Sequence, residues 1–203
     1  MKYIIMCGGP RSYKPLRVIK DETIVERTIR LLRENGVDDI AISTNDDRYQ
    51  FGVPVLRHHN PLVWDGFYWL NGFYPMTDPV CYLFGDVFFS PEAIKTIVDK
   101  QTDSIEFFAS APPYSDLYTK KWAEPFAFKV QDTDKFFRCI RQCKNLDAQH
   151  LFNRHPISWE LWQVINNTVI NHIDYHSYTP INDYTVDIDD DEQVLWLIDR
   201  GLV

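Results

Sequence analysis

The sequence predicts an α/β protein, a three-layer α/β/α sandwich around a mostly parallel, Rossmann-like central sheet. Apolar strand-like runs alternate along the chain with amphipathic helical stretches, an order typical of parallel sheets with right-handed crossovers. The run VCYLFGD at 80–86 is apolar up to its final acid, as in a central strand covered on both faces. No linker, repeat or low-complexity tract interrupts the chain, so we expect one domain over residues 1–203.

The first part of the chain predicts three strands and one helix. Residues 2–7 form a short buried strand that runs into a glycine pair. The stretch TIVERTIRLLRENG at 23–36 places its apolar residues on one helical stripe, and Gly36 can end that helix in a left-handed conformation. Strands are expected next at 39–44 and 53–56.

The rest of the chain continues the alternation. Ser90, Pro91 and Glu92 offer an N-cap, a first-turn proline and an early acid for a helix that extends to about Lys100. Further elements are expected in this order: strands at 104–111 and 126–130, helices at 133–143 and 158–165, a strand at 184–189 and a terminal helix ending before Gly201.

Composition narrows the classes of function. The formal net charge of the 203 residues is -8, which disfavours a nucleic-acid-binding protein because such proteins normally carry a basic field. No apolar run approaches the roughly 20 residues that span a bilayer, and no signal peptide is recognisable at the N-terminus. We therefore expect a cytoplasmic protein with no membrane and no nucleic-acid partner.

The four cysteines are too few for a disulfide scaffold, which indicates a reducing compartment. Cys139 and Cys143 lie four residues apart on a predicted helix, and His150 and His155 follow. These four residues could form a zinc site, but ordinary burial of the cysteines is the favoured interpretation.

The stretch MCGGPRSYKP at 6–15 predicts an anion-binding loop. Gly8 and Gly9 allow the backbone to approach a ligand closely, Arg11 can grip a phosphate with two hydrogen bonds, and Lys14 supplies a mobile charge. The alternative is a tight turn with two solvated cations. Neither the Walker spacing nor the dinucleotide-binding spacing of glycines is present.

Two groups of acids could hold a metal. Asp86 follows the apolar strand, where ligands gather in open α/β sheets, although it could equally cap the next segment. Asp187 and Asp189 alternate along a strand end, so both side chains can point to one face. The acids at 190–192 are expected to cap the terminal helix, and a solvated helix start is the alternative for the whole run.

The stretches MCGGPRSYKPL and ETIVERTIRLLRENGVDDIAIST together resemble the opening of the glycosyltransferase-A-like nucleotidyltransferases, which include sugar-phosphate, phosphocholine and methylerythritol-phosphate nucleotidyltransferases. The resemblance covers about residues 2–90 and 183–200 and implies the GT-A-like fold. The positions that match the phosphate loop of the family are Gly8, Gly9, Arg11, Lys14 and Pro15. The interval between Arg11 and Lys14 is shorter here than in most members.

The resemblance also implies residue roles. Arg11, Lys14 and Asp86 would be catalytic, and Asp86 and Asp187 would hold Mg²⁺ with Asp189 as a further ligand or support. Asn60, in an Asn-Pro pair, would lie near the nucleotide. Lys121 would contact the acceptor phosphate, although a solvated surface lysine is the alternative.

The implied reaction is Mg²⁺-dependent transfer of a nucleotidyl group from an NTP to a small phosphorylated acceptor, either a sugar phosphate or a phospho-alcohol. It releases pyrophosphate and would serve surface-polysaccharide precursor synthesis, and a homodimer is compatible with it. One alternative is a glycosyltransferase that uses a nucleotide sugar, and another is an inactive nucleotide-binding protein of the same fold. The aromatic stretch at 57–76 and the tryptophans are expected to pack the core or to line an acceptor pocket.

Overall fold

The computed structural model describes residues 1–9, 11–58, 69–111, 123–173 and 177–203, together with the backbone of two short strands at 62–63 and 66–67. The strands in these ranges are β1 Lys2–Met6, β2 Val18–Ile19, β3 Glu22–Thr23, β4 Ile40–Thr44, β5 Val55–Arg57, β6 Leu62–Val63, β7 Gly66–Phe67, β8 Val80–Phe84, β9 Val87–Phe88, β10 Ile105–Ser110, β11 Glu124–Val130, β12 Thr179–Pro180 and β13 Val186–Asp187. The α-helices are α1 Ile24–Glu34, α2 Pro91–Asp99, α3 Thr133–Ala148, α4 Ser158–Ile165 and α5 Asp191–Asp199. Two 3-10 turns lie at Lys14–Leu16 and Trp69–Gly72.

A seven-stranded sheet forms the centre of the molecule in the order β12-β10-β11-β8-β1-β4-β5. β1 pairs in parallel with β4 and with β8, and the outer pairs β4–β5 and β10–β12 are also parallel. β11 runs antiparallel to both of its neighbours, β8 and β10. The α/β class with a mostly parallel sheet is therefore confirmed.

The core lies on both faces of this sheet. Every residue of β8 is buried, as a strand covered on both sides requires. On one face, Phe136 of α3 stacks on Tyr82 with ring centroids 5.8 Å apart and packs on Phe128 at 5.5 Å. The ring of Phe73 packs on the same cluster, with its centroid 5.2 Å from that of Tyr82. The described end of the aromatic stretch at 57–76 therefore packs the core, which was one of the two roles expected for it.

The predicted helix boundaries have the expected caps. Thr23 and Glu26 form a reciprocal capping box at the start of α1, and Gly36 follows that helix with a φ of +76°. The Ser90 hydroxyl accepts a hydrogen bond from the amide of Ala93 at the start of α2. Asp190 caps α5, as expected of the acids at 190–192.

Most strands differ from their predicted bounds by one or two residues, including β11, which begins at Glu124 instead of residue 126. The last strand and α3 differ most in length from their predictions. The expected strand at 184–189 is reduced to Val186–Asp187, because its partner β9 is itself only two residues long. α3 continues past residue 143 to Ala148, since no glycine or proline interrupts the helix there.

All four cysteines are free and buried, and Cys143 is inaccessible to solvent. His155 lies 3.1 Å from Asp147, and no group of three or more His, Cys, Asp or Glu side chains in the described ranges is arranged to hold a metal ion. Trp159 and Trp162 are 2% and 4% exposed and pack on Phe107, which places both in the core. Of the described helices, none combines the length and apolar character that crossing a membrane demands.

Candidate active site

The glycine loop leaves the carboxyl end of β1 and is held there by β4. The amide of Cys7 donates to the Ser43 carbonyl at 2.9 Å, and the Thr44 hydroxyl donates to the Cys7 carbonyl at 3.1 Å. Gly9 has a φ of +93°, a conformation that favours glycine, whereas a Cβ on Gly8 would meet only the Ser43 carbonyl oxygen at an ordinary 3.9 Å. The loop backbone therefore needs glycine at position 9, and local packing leaves position 8 free.

The turn after β4 fastens the middle of the loop. Ser12 Oγ donates to Asp46 at 3.1 Å, and the buried Tyr49 hydroxyl donates to the Ser12 carbonyl oxygen. Hydrogen bonds from Arg48 hold the pKa of Asp46 well below its usual range, so this carboxylate stays ionised. The role of Tyr49 could not be predicted from the sequence, because a lone tyrosine in a polar turn belongs to no recognisable pattern.

Gly85 brings Asp86 against the start of the glycine loop. Its amide donates to the Met6 carbonyl at 3.0 Å, and a Cβ at this position would lie 2.5 Å from that oxygen and 2.7 Å from Cys7 Sγ. A larger residue would push the turn after β8 away from β1 and move Asp86 with it. Gly85 was not among the predicted site residues. Its position between an apolar strand and an acid was the signal in the sequence that could have indicated its role.

The C-terminal acids reach the same place through a small separate sheet. β13 pairs antiparallel with β9, with Asp187 opposite Val87. The amide of Ile188 then donates to the carbonyl oxygen of Asp86 at 3.0 Å. This backbone contact sets Asp187 and Asp189 beside the turn that carries Asp86.

Three carboxylates converge on the ammonium group of Lys14. Its Nζ lies 2.6 Å from Asp189 Oδ1, 3.4 Å from Asp86 Oδ2 and 3.9 Å from Asp187 Oδ1. The lysine side chain is only 4% exposed, whereas that of Arg11 is 69% exposed, with Nη1 3.7 Å from Asp189 Oδ1. The loop therefore presents one buried cation to the acids and one accessible cation to solvent.

The charges of the carboxylates keep Lys14 protonated in its buried position. Burial by itself would lower the pKa of Lys14, but the nearby carboxylates, Asp187 first among them, outweigh burial and raise it. The lysine is therefore protonated at neutral pH. With three carboxylates against Lys14 and Arg11, the cluster retains a negative balance that favours further cations.

The sequence matches no protein-family profile and no curated protein, so the comparison rests on solved structures. A 4-diphosphocytidyl-2C-methyl-D-erythritol synthase from Anaerococcus prevotii superposes with a TM-score of 0.61 at 12% identity, over 100% of this chain and 98% of the other. A UDP-glucose pyrophosphorylase from Acinetobacter baumannii gives 0.60 at 11% identity, over 99% and 93%. A protein assigned as a glucose-1-phosphate thymidylyltransferase from Bacillus anthracis gives 0.52 at 15% identity, over 92% and 89%.

The chain has the nucleotidyltransferase fold. The resemblance that the opening of the sequence predicted is thus confirmed for the architecture, over nearly the whole length of each of these enzymes.

Within the nucleotidyltransferase fold of this chain, the acids and the glycine loop gather at the carboxyl ends of β1 and β8, where ligands bind in open α/β sheets. Carboxylate oxygens are the ligands that Mg²⁺ prefers, and Mg²⁺ is usually held by one or two carboxylates together with substrate phosphates. The carboxylates of Asp86, Asp187 and Asp189 have the chemistry that such an ion needs, but with Lys14 among them these described acids are not arranged as a metal site in this structure. In this structure the three carboxylates face Lys14, whose single positive charge neutralises only part of their negative charge.

The structure thus brings together the predicted site residues Gly8, Gly9, Arg11, Lys14, Asp86, Asp187 and Asp189. Asn60 and Lys121 lie outside the described residues, so their predicted contacts with nucleotide and acceptor stay predictions. The same holds for the catalytic and metal-binding roles of the residues that do meet.

Proposed function

We propose that this chain is a Mg²⁺-dependent nucleotidyltransferase that joins an NTP to a small phosphorylated acceptor and releases pyrophosphate. The observation that carries the proposal is the contact of Asp86, Asp187 and Asp189 with Lys14, all within 3.9 Å of one nitrogen beside the glycine loop. Two chain segments far apart in sequence supply these acids to one end of a nucleotidyltransferase-fold sheet. A purely structural ion pair would need one carboxylate, and three leave the excess negative charge that a divalent cation can neutralise.

The glycine loop would bind the triphosphate. Arg11 is accessible and can donate two parallel hydrogen bonds to phosphate oxygens, and the loop backbone is held in place by Ser12 and Tyr49. A triphosphate approaching the loop would be repelled by three carboxylates unless a divalent cation came with it. The charge of the site therefore favours a metal–nucleotide complex over the free nucleotide.

Lys14 would change partners during the reaction. In the structure its ammonium group neutralises part of the negative charge of the acids that are proposed to hold Mg²⁺. When a divalent cation takes over this neutralisation, the lysine side chain is released to contact the negative oxygens of the triphosphate. Bound Mg²⁺ would supply charge neutralisation and orientation at the transferring phosphate, held by Asp86 and Asp187 with Asp189 in support.

The transfer step needs no general base from the protein. An oxygen of the acceptor phosphate attacks the α-phosphorus of the NTP and forms a new P–O bond. The bond from the α-phosphorus to the bridging oxygen of the β-phosphate breaks, and pyrophosphate leaves with that electron pair. A phosphate monoester is already largely ionised near neutral pH, so positioning and charge neutralisation by Arg11 and Lys14 carry the catalysis.

The acceptor class comes from the solved structures. Their names describe a 4-diphosphocytidyl-2C-methyl-D-erythritol synthase, a glucose-1-phosphate thymidylyltransferase and a UDP-glucose pyrophosphorylase, and each name combines a nucleotide with a small alcohol or sugar. We extend this class to the present chain as a single-domain cytoplasmic enzyme that makes an activated precursor for surface polysaccharide. The first experiment varies the nucleotide base of the NTP and the phosphorylated acceptor.

That experiment is a pyrophosphate-release assay with the four ribonucleoside triphosphates and dTTP. Each is paired with glucose 1-phosphate, phosphocholine or 2C-methylerythritol 4-phosphate in the presence of Mg²⁺, and Asp86→Asn is the inactive control. Acceptor-dependent pyrophosphate release supports the proposal. Release of a nucleoside mono- or diphosphate from nucleotide sugars would favour a glycosyltransferase, and no turnover of either substrate class would favour an inactive nucleotide-binding protein.

A further inference from the structure

The strand that carries Asp187 is held by β9 on one side. Ile188 donates its amide to Asp86 across the β9–β13 ladder, and successive amides of a strand point to alternate sides. The amide of Asp187 therefore points away from β9. A second acceptor is needed on that side to fix the position of Asp187.

Glu124 supplies this acceptor. Its carboxylate Oε2 lies 3.1 Å from the amide nitrogen of Asp187, and the residue is only 7% exposed. Glu124 begins β11, where it pairs with Ser110 of β10 in the main sheet. The contact thus ties the small β9–β13 sheet to the seven-stranded sheet.

The backbone of Glu124 is itself restrained. Pro125 follows it, and a residue before proline is confined to extended conformations. The register between β10 and β11 also shifts at this point, so that Pro125, which has no amide to donate, pairs with Ala109. Glu124 therefore projects its carboxylate from a rigid point of the sheet.

We propose that Glu124 is a positioning residue that holds the metal-binding carboxylate of Asp187 in place through the Asp187 backbone amide. The proposal rests on the proposed function, in which Asp187 binds Mg²⁺. Glu124 acts as a hydrogen-bond acceptor, and its effect on the metal site passes through the position of Asp187. Partners that orient metal ligands in this way commonly change metal affinity by about 10–100-fold when they are removed.

The test compares Glu124→Met, which removes the acceptor, with Glu124→Gln, which removes the charge but keeps an acceptor oxygen. Amide hydrogen exchange of Asp187, measured by NMR on the metal-free protein, reports the hydrogen bond. A calorimetric titration with Mn²⁺ alone reports the metal site. We expect E124M to lose protection at Asp187 and to bind Mn²⁺ about 10-fold more weakly, whereas E124Q retains protection and most of the affinity.

Glu92→Met on the exposed start of α2 is the matched control and should leave both readouts unchanged. Should E124M fail to fold, Glu124→Asp replaces it, because this variant keeps the charge but shortens the reach of the carboxylate by one methylene. Undiminished protection of Asp187 in E124M or E124D would overturn the proposal. Equal loss of Mn²⁺ affinity in E124Q and E124M would also overturn it, since the charge of Glu124 would then matter instead of the acceptor.

The same experiment separates this proposal from the proposed function. If the wild-type protein does not bind Mn²⁺, or if Asp86→Asn leaves its binding unchanged, the proposed metal site is contradicted. Hydrogen exchange of the Asp187 amide then tests the role of Glu124 without the metal. Wild-type binding that depends on Asp86 but is indifferent to Glu124→Met contradicts the positioning role alone.

Discussion

The amide of Ile188 donates a 3.0 Å hydrogen bond to the carbonyl oxygen of Asp86. This contact joins the turn after β8 to the strand before α5, so the acids on either side of it share one location. Asp86, Asp187 and Asp189 then all reach the ammonium group of Lys14.

Asp86→Asn should lower pyrophosphate release by about 100-fold or more, the size of effect seen when one charge-stabilising group is removed from an active site. The melting temperature should change little, because Asp86 is partly exposed and its fold-setting contact is made by its backbone. Asp99→Asn, an exposed acid paired with Lys95 on α2, is the control and should retain activity. A large loss of stability in Asp86→Asn would assign the side chain a structural role instead.

Lys14→Met should abolish turnover yet strengthen the binding of Mn²⁺ in the absence of nucleotide. The ammonium group and the divalent cation compete for the same carboxylates, so its removal leaves them free for the metal. Thermal unfolding should show the same effect, with Mg²⁺ raising the melting temperature of K14M more than that of the wild type. Weaker Mn²⁺ binding by K14M would contradict this competition.

Gly85→Ala should reduce the free energy of unfolding by about 1–3 kcal/mol, the usual cost of forcing an extra methyl group into a packed site. The new Cβ would lie 2.5 Å from the Met6 carbonyl oxygen. Gly8→Ala is the matched variant for stability, because its Cβ meets only the Ser43 oxygen at 3.9 Å. Urea denaturation of the two variants measures the difference, and equal stability would show that the turn at Gly85 relaxes freely.

Tyr49→Phe should raise the KM for NTP and cost about 1 kcal/mol of stability, the typical net value of one hydrogen bond. The lost hydroxyl holds the Ser12 carbonyl of the glycine loop. Tyr82→Phe removes a comparable buried hydroxyl, which donates to the Tyr74 carbonyl. Steady-state kinetics should show a change in KM in Tyr49→Phe alone, and an equal change in both variants would rule out a specific effect on the loop.

The local features of this protein could be predicted from its sequence. The capping residues Thr23, Ser90 and Asp190 lie within four residues of the amides they satisfy, so their role is visible in a short window. The apolar run of β8 likewise lies within a short window of sequence, and it predicted a strand that is buried on both faces. The alternation of Asp187 and Asp189 predicted that both could face one ligand, and both contact Lys14.

Local patterns in the sequence predicted the α/β class, the positions of the helices and the candidate residues of the glycine loop and the acids, because periodicity and capping act over a few neighbouring residues. The end of α3 was the exception among the helices. The tertiary structure alone decided that Lys14 is buried among three carboxylates, that Gly85 leaves no room for a Cβ, and that Glu124 holds the Asp187 amide. These contacts join segments far apart along the chain, and their distances depend on how β9, β11 and β13 pack.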